Sequence, residues 1–236
     1  MDQSLGDLHQ VRLEKLNQIK KTGINPYPSR CRKKNFIKDA LKMLGKSVSV
    51  AGRIHAWRGH GKLQFADLID ETGKIQLVFK TDKLKKEQFE FLSLFDLGDF
   101  LAAQGEVFKT QSGEISVLVA DYQLLAKTVR PLPSNWYGFK DKEERYRKRY
   151  LDLLMSPPIR KVFEKRSQII KAVREFLDQK GFLEVETPTL QPLYGGANAR
   201  PFFTHHHALD FDLYLKISDE LYLKRLLIGG FEKVFE

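Results

Sequence analysis

The sequence predicts an α+β chain of more than one domain, a five-stranded β-barrel followed by an α/β segment of different character. Three observations carry this. Residues 47–126 alternate with a period of two between glycine-containing turns, one helical stretch separates the third strand from the fourth, and a basic, proline-bracketed stretch then leads into a long amphipathic helix.

Taken in order, residues 5–22 place Leu5, Leu8, Val11, Leu16 and Ile19 at helical spacing, with Arg12, Lys15, Lys20 and Lys21 between them. This is a basic amphipathic helix. Gly23 and Pro26-Tyr27-Pro28 end it, since proline offers no donor and disfavours helix before it. A second short helix is expected from Ile37 to Leu44, closing at Gly45. From Ser47 the period changes to two. Val48, Val50 and Gly52 begin a strand running towards Arg58, Gly61 turns the chain into Leu63 to Ile69, and Asp70-Glu71-Thr72-Gly73 turns it again into Ile75 to Phe79. Ile75, Leu77 and Phe79 share one face of that strand, so Gln76 takes the other.

A helix is expected over Lys83 to Phe95, with Leu84, Phe89, Leu92 and Phe95 inward, and then two strands, Phe100 to Lys109 and Glu114 to Leu125. Three strands, a helix and two strands is the order of the OB barrel, whose strand 2 to 3 face usually binds single-stranded nucleic acid. Residues 129–158 read as a connector bracketed by Pro131, Pro133, Pro157 and Pro158. Beyond it, Val162, Phe163, Ile169, Ile170, Val173, Phe176 and Leu177 form an apolar stripe that closes at Gly181. Ser218 is placed to cap a further helix ending at Gly229, and Phe231 to Glu236 alternates as a strand. The expected organisation is a helical basic extension (1–46), an OB barrel (47–128), a linker (129–158) and an incomplete α/β domain (159–236).

Charge narrows the function. The net charge is +10, and residues 1–46 carry 11 basic against 4 acidic side chains while residues 127–166 carry 12 against 5. Two basic zones flanking a mildly acidic barrel suit a polyanion, because each phosphate neutralised releases condensed counterions. Solvated surface charge is the plainer explanation of either zone. No apolar run approaches the roughly 18 to 20 residues of a membrane span, and Met1-Asp2-Gln3-Ser4 lacks the basic start of an export signal. A cytoplasmic protein is expected. Cys31 is the only cysteine, which leaves no intramolecular disulfide and no cysteine-rich zinc site.

Lys180-Gly181-Phe182-Leu183-Glu184-Val185-Glu186-Thr187-Pro188, after the long helix, resembles motif 1 of class II aminoacyl-tRNA synthetases. The blocks that follow are similar to the lysyl branch of that family: Gly195-Gly196-Ala197-Asn198-Ala199-Arg200-Pro201-Phe202, Thr204-His205-His206-His207-Ala208-Leu209-Asp210, Glu220-Leu221-Tyr222-Leu223-Lys224-Arg225-Leu226 and Gly229-Gly230-Phe231-Glu232-Lys233-Val234-Phe235-Glu236. So are Arg130-Pro131-Leu132-Pro133 and the run from Arg145 to Leu153. Aspartyl and asparaginyl enzymes share the layout but read differently after motif 1. Three positions depart from the lysyl pattern: Tyr194 and Asp219 stand where proline is usual, and His207 where asparagine is.

The resemblance implies a truncated class II catalytic domain behind an anticodon-binding barrel. It implies that Phe65 stacks on an anticodon base while Arg58, Gln76 and Glu114 read base edges, chiefly a central uridine. The plainer alternatives are that Phe65 is ordinary barrel core and Arg58 a solvated strand end. It implies that Gly196 and Glu220 hold the α-amino group of lysine, and that Gly181 and Pro188 lie at a homodimer interface. A carboxylate suits an ammonium, and glycine lets backbone approach a ligand closely; Glu220 also suits the positive end of its helix. The family's substrates are lysine, ATP and the tRNA for lysine, with Mg2+. Its motif 2 arginine and motif 3 are expected beyond residue 236, so no catalytic residue is assigned within the chain, which by itself is expected to be inactive. His205, His206 and His207 alternate in direction along a strand without a ligand spacing, and no metal is assigned to them. Two other functions fit the same residues: a non-enzymatic tRNA-binding module, or a general single-strand-binding barrel that gives residues 159–236 no role.

Overall fold

The computed structural model describes residues 3–31, 33–132 and 141–236. They fall into two compact units, Met1–Ser134 and Asn135–Glu236. Among the described residues no helix is long and apolar enough to cross a membrane.

In the first unit α1 (Gln3–Lys21) and the single turn α2 (Ile37–Ala40) precede five strands, β1 (Ser47–His60), β2 (Leu63–Asp70), β3 (Gly73–Lys80), β4 (Phe100–Lys109) and β5 (Ile115–Ala126). They close in the order β1-β2-β3-β5-β4, with β4 returning to β1. Every pairing is antiparallel except the short parallel contact of β3 with β5. This is the OB barrel the alternation predicts. Its core is the inward set, Val48, Val50 and Ile54 from β1, Ala66 and Leu68 from β2, Ile75, Leu77 and Phe79 from β3, and Leu101, Val107, Val117 and Val119 from β4 and β5. At Gly105 the strands approach so closely that a Cβ would lie 2.0 Å from the Leu118 carbonyl oxygen.

The helix expected over Lys83 to Phe95 is shorter. Only α3 (Lys86–Phe91) is α-helical, started by the Gln88 side chain accepting from the Lys85 amide, and Leu92–Leu94 tighten into a 3-10 turn. Its apolar set still plugs the barrel: Leu84, Leu92 and Phe95 are buried and Phe89 packs against them. The expected helix to Leu44 likewise stops at Ala40, although Ile37 and Ala40 are fully buried.

The basic N-terminal helix is docked, not free. Ile19 and Leu16 bury against the barrel, whereas Leu8 and Val11, expected on the same stripe, stay exposed. Lys15 pairs with Asp96 at 2.8 Å, and the Arg12 guanidinium reaches the Thr128 and Arg130 carbonyls. Lys127, wholly buried, bridges Asp96 and Asp99. Burial pushes the Asp99 carboxyl up, and its bonds to Lys127, Thr128 and Asp96 only partly offset that. Part of the basic zone therefore serves folding.

In the second unit α4 (Lys142–Arg147) and α5 (Arg149–Met155) occupy residues expected as connector. Asp141 caps α4 by accepting from the Glu143 and Glu144 amides, and buried Asp152 is held by Arg145 and Arg149. The run reads as a linker by its prolines and charge; its acids and bases pair locally, which is what folds it. The long helix α6 (Pro157–Gln179) ends before Gly181, whose φ of +77° reverses the chain. β6 (Leu183–Glu184) pairs in parallel with β10 (Val234–Phe235), all of the expected last strand that forms. β7 (Leu190–Gln191), β9 (Phe211–Leu215) and β8 (Phe203–His206) make an antiparallel sheet, and α7 (Glu220–Ile228) follows it. Asp219, not Ser218, stands at the N-cap of α7, while the Ser218 hydroxyl accepts from the Glu220 amide at 3.2 Å.

Candidate functional site

The outer face of β1, β2 and β3 gathers the residues expected to read nucleic acid. One irregularity makes this possible. Along β1 the inward residues are Val48, Val50 and Ile54, an even-numbered series that would send Arg58 into the core. A β-bulge between Ile54 and Ala56 resets the register: Ile54 faces Leu68 but Ala56 faces Asp67, so Trp57 packs inward on Phe79 and Phe95 and Arg58 turns outward opposite Phe65.

Phe65 is half-buried on this face, paired with Arg58 across β1 and Val78 across β3. The Arg58 guanidinium lies 6.0 Å from the Phe65 ring centre, the reach of a cation–π contact. Gln76 lies opposite Asp67 on one side and Ser116 on the other. Its Nε2 donates to Glu114 Oε2 at 2.9 Å, and the Ser116 hydroxyl donates to its Oε1 at 2.9 Å. The Glu114 carboxylate defines which way the amide points, since it only accepts and a flipped amide would set an oxygen against it. Gln76 is itself buried, 5% exposed, and among the described residues these bonds leave one amide N–H and one carbonyl lone pair of its side chain over. Glu114 is exposed.

Asp67, Lys74 and Ser116 belong to the same face, and sequence reasoning missed them. Asp67 accepts from Arg58 at 3.0 Å and from Lys74 at 3.2 Å. Strand parity sets Asp67 with Phe65 on β2 and Lys74 with Gln76 on β3, but does not show what either side chain meets.

In the second unit Gly196 and Glu220 come together. Gly196 has a φ of +81°, and a Cβ on it would stand 2.9 Å from Ser218 Oγ and 3.0 Å from Glu220 Cβ. A side chain here would be strained in its backbone and would crowd Ser218 and Glu220. Gly195 sits as tightly on Leu221. The Glu220 carboxylate pairs with Lys224, one turn on and well exposed, so it stays open to exchange for another ammonium. Beside it Lys216 binds Glu236, Asp219 and Thr187, and Thr187 donates its amide and hydroxyl to Glu236. These bonds hold the Glu236 carboxyl below its usual range. Neither Lys216 nor Glu236 was expected at this site. Gly181 and Pro188 play separate local parts, Gly181 reversing the chain after α6 and Pro188 accepting from Gln191 Nε2 at 3.0 Å.

The barrel and the segment that follows it in sequence are each similar to a known family. Residues 48–125 match the family described as OB-fold nucleic acid binding domain, and residues 141–236 the family described as tRNA synthetases class II (D, K and N). Within that class the relatives are lysine–tRNA ligases. The chain is 51% identical over 238 residues to lysine–tRNA ligase of Carboxydothermus hydrogenoformans, covering 99% of this chain and 49% of that protein. It is 53% identical over 237 residues to the Syntrophomonas wolfei enzyme and 50% over 240 residues to that of Clostridium perfringens. The chain spans about half the length of the curated relatives it matches.

Proposed function

We propose that these 236 residues are the tRNA-reading part, with one wall of the amino-acid site, of an enzyme that uses ATP and Mg2+ to join lysine to the tRNA for lysine. The observation that carries this reading is the outer barrel face, where Phe65, Arg58, Gln76 and Glu114 lie side by side. An aromatic ring beside a guanidinium suits a stacked base. The N–H and lone pair left on the Gln76 amide complement the adjacent acceptor and donor on the edge of a uracil. Gly196 and Glu220 supply a closely approachable backbone and a carboxylate for the α-ammonium of lysine. The first step of such a reaction joins the lysine carboxylate to the ATP α-phosphate with loss of pyrophosphate, and needs cations at the phosphates. Among the described residues no three His, Cys, Asp or Glu side chains are gathered to hold a metal ion. Pairing of two copies through the region of Gly181 and Pro188, and a cytoplasmic location, belong to the same proposal.

The test is fluorescence anisotropy with a labelled anticodon stem-loop of the tRNA for lysine. Phe65→Ala should weaken binding by about 1 to 3 kcal/mol, and Gln76→Ala should chiefly relax discrimination at one base. If both variants bind and discriminate as the parent does, the face is misassigned.

A further inference from the structure

A buried carboxylate in the middle of a surface that meets a polyanion needs a reason. Asp67 is that carboxylate: its side chain is 9% exposed, yet it stands on the outward parity of β2 between Phe65 and the Gln76 pairing. It repels phosphate. Its two oxygens are divided between two cations, Arg58 on Oδ1 and Lys74 on Oδ2, which keep 48% and 52% of their side chains exposed. Each cation is tethered at one point and open elsewhere. The tether holds Arg58 by the ring: with its guanidinium on Asp67 Oδ1 at 3.0 Å, it lies 6.0 Å from the centre of Phe65. An arginine ordered before binding loses less side-chain freedom on meeting its ligand.

We propose that Asp67 is a positioning residue for nucleic-acid recognition, fixing Arg58 against Phe65 so that the fork of the guanidinium meets the edge or phosphate of the base stacked there. The inference rests on the barrel face being the RNA-reading surface. It makes a prediction opposite in sign to simple electrostatics. Removing a negative charge from a polyanion-binding face should tighten binding; removing a tether should loosen it.

The experiment is a double-mutant cycle read by anisotropy with the same stem-loop at one fixed salt concentration. Asp67→Asn, which keeps size and loses charge, should bind roughly 3- to 10-fold more weakly, the scale of one long side chain ordered on binding instead of beforehand. In the Arg58→Ala background the same substitution should cost nothing or tighten binding, because no arginine remains to position. Asp67→Glu keeps the charge on a longer arm and should also weaken binding, and it carries the test should Asp67→Asn not fold. Equal or tighter binding by these variants, or the same loss with and without Arg58, overturns the inference. A Phe65→Ala control separates the two ideas: if it too binds like the parent, the assignment of the face has failed, and if it alone weakens binding, only the role of Asp67 has.

Discussion

At Asp70 a single carboxylate ties Lys33 and Ile37 to the turn between β2 and β3. Burial raises its pKa, but Lys33 at 2.8 Å, the Thr72 hydroxyl and the amides of Ile37 and Thr72 outweigh burial and bring it from 3.8 to about 2. The folded protein thus binds this proton more weakly than the unfolded chain. Its stabilisation is fully present above about pH 4, declines as pH falls towards 2 and is absent below that. Urea midpoints measured between pH 5 and about pH 2 should therefore fall more steeply for the parent than for Asp70→Asn, with the curves converging at the acid end. Parallel curves would refute the role. Nothing in the sequence marks Asp70 beyond its place in a turn. Gln76, by contrast, is legible as a candidate from strand parity and resemblance together, and Phe65, Arg58, Glu114, Gly196 and Glu220 through the resemblance. Asp67 was not legible, because an aspartate on a strand carries no sign of what it will face until the register is known.

Among the elements, the strongly periodic ones were readable and their ends were not. All five barrel strands and the long helix of the second unit lie where hydrophobic period puts them. The bulge in β1 was invisible: inserting one residue leaves the composition of a strand intact while exchanging its faces, and only the partner strand reveals it. The helix plugging the barrel is shorter than its apolar pattern because Leu84 and Phe95 reach the core from outside the helical turn. Residues 142–155 read as connector by their charge, yet they fold into two short helices around one buried carboxylate, Asp152, held by Arg145 and Arg149. Local composition cannot distinguish these cases, since both present alternating acids and bases.

Across the whole molecule the two units differ in how much they enclose. The barrel surrounds a continuous core, whereas α6 has no buried residue and presents Val162, Ile169, Val173 and Phe176 to solvent. Exposed apolar stripes of this kind favour association and give little protection against opening. Hydrogen exchange should protect residues 47–126 strongly and residues 159–236 weakly, and light scattering should detect dimers or larger species. A strict monomer with equal protection in both regions would contradict this account of where stability resides.

Whether the outer barrel face reads the tRNA for lysine is decided by titrating the isotopically labelled chain with the anticodon stem-loop and following backbone amide signals by NMR. Shifts should concentrate at Arg58, Phe65, Lys74, Gln76, Glu114 and Ser116 and weaken when the central uridine is replaced. Shifts confined to the basic helix α1, or a response identical for every loop sequence, would contradict it.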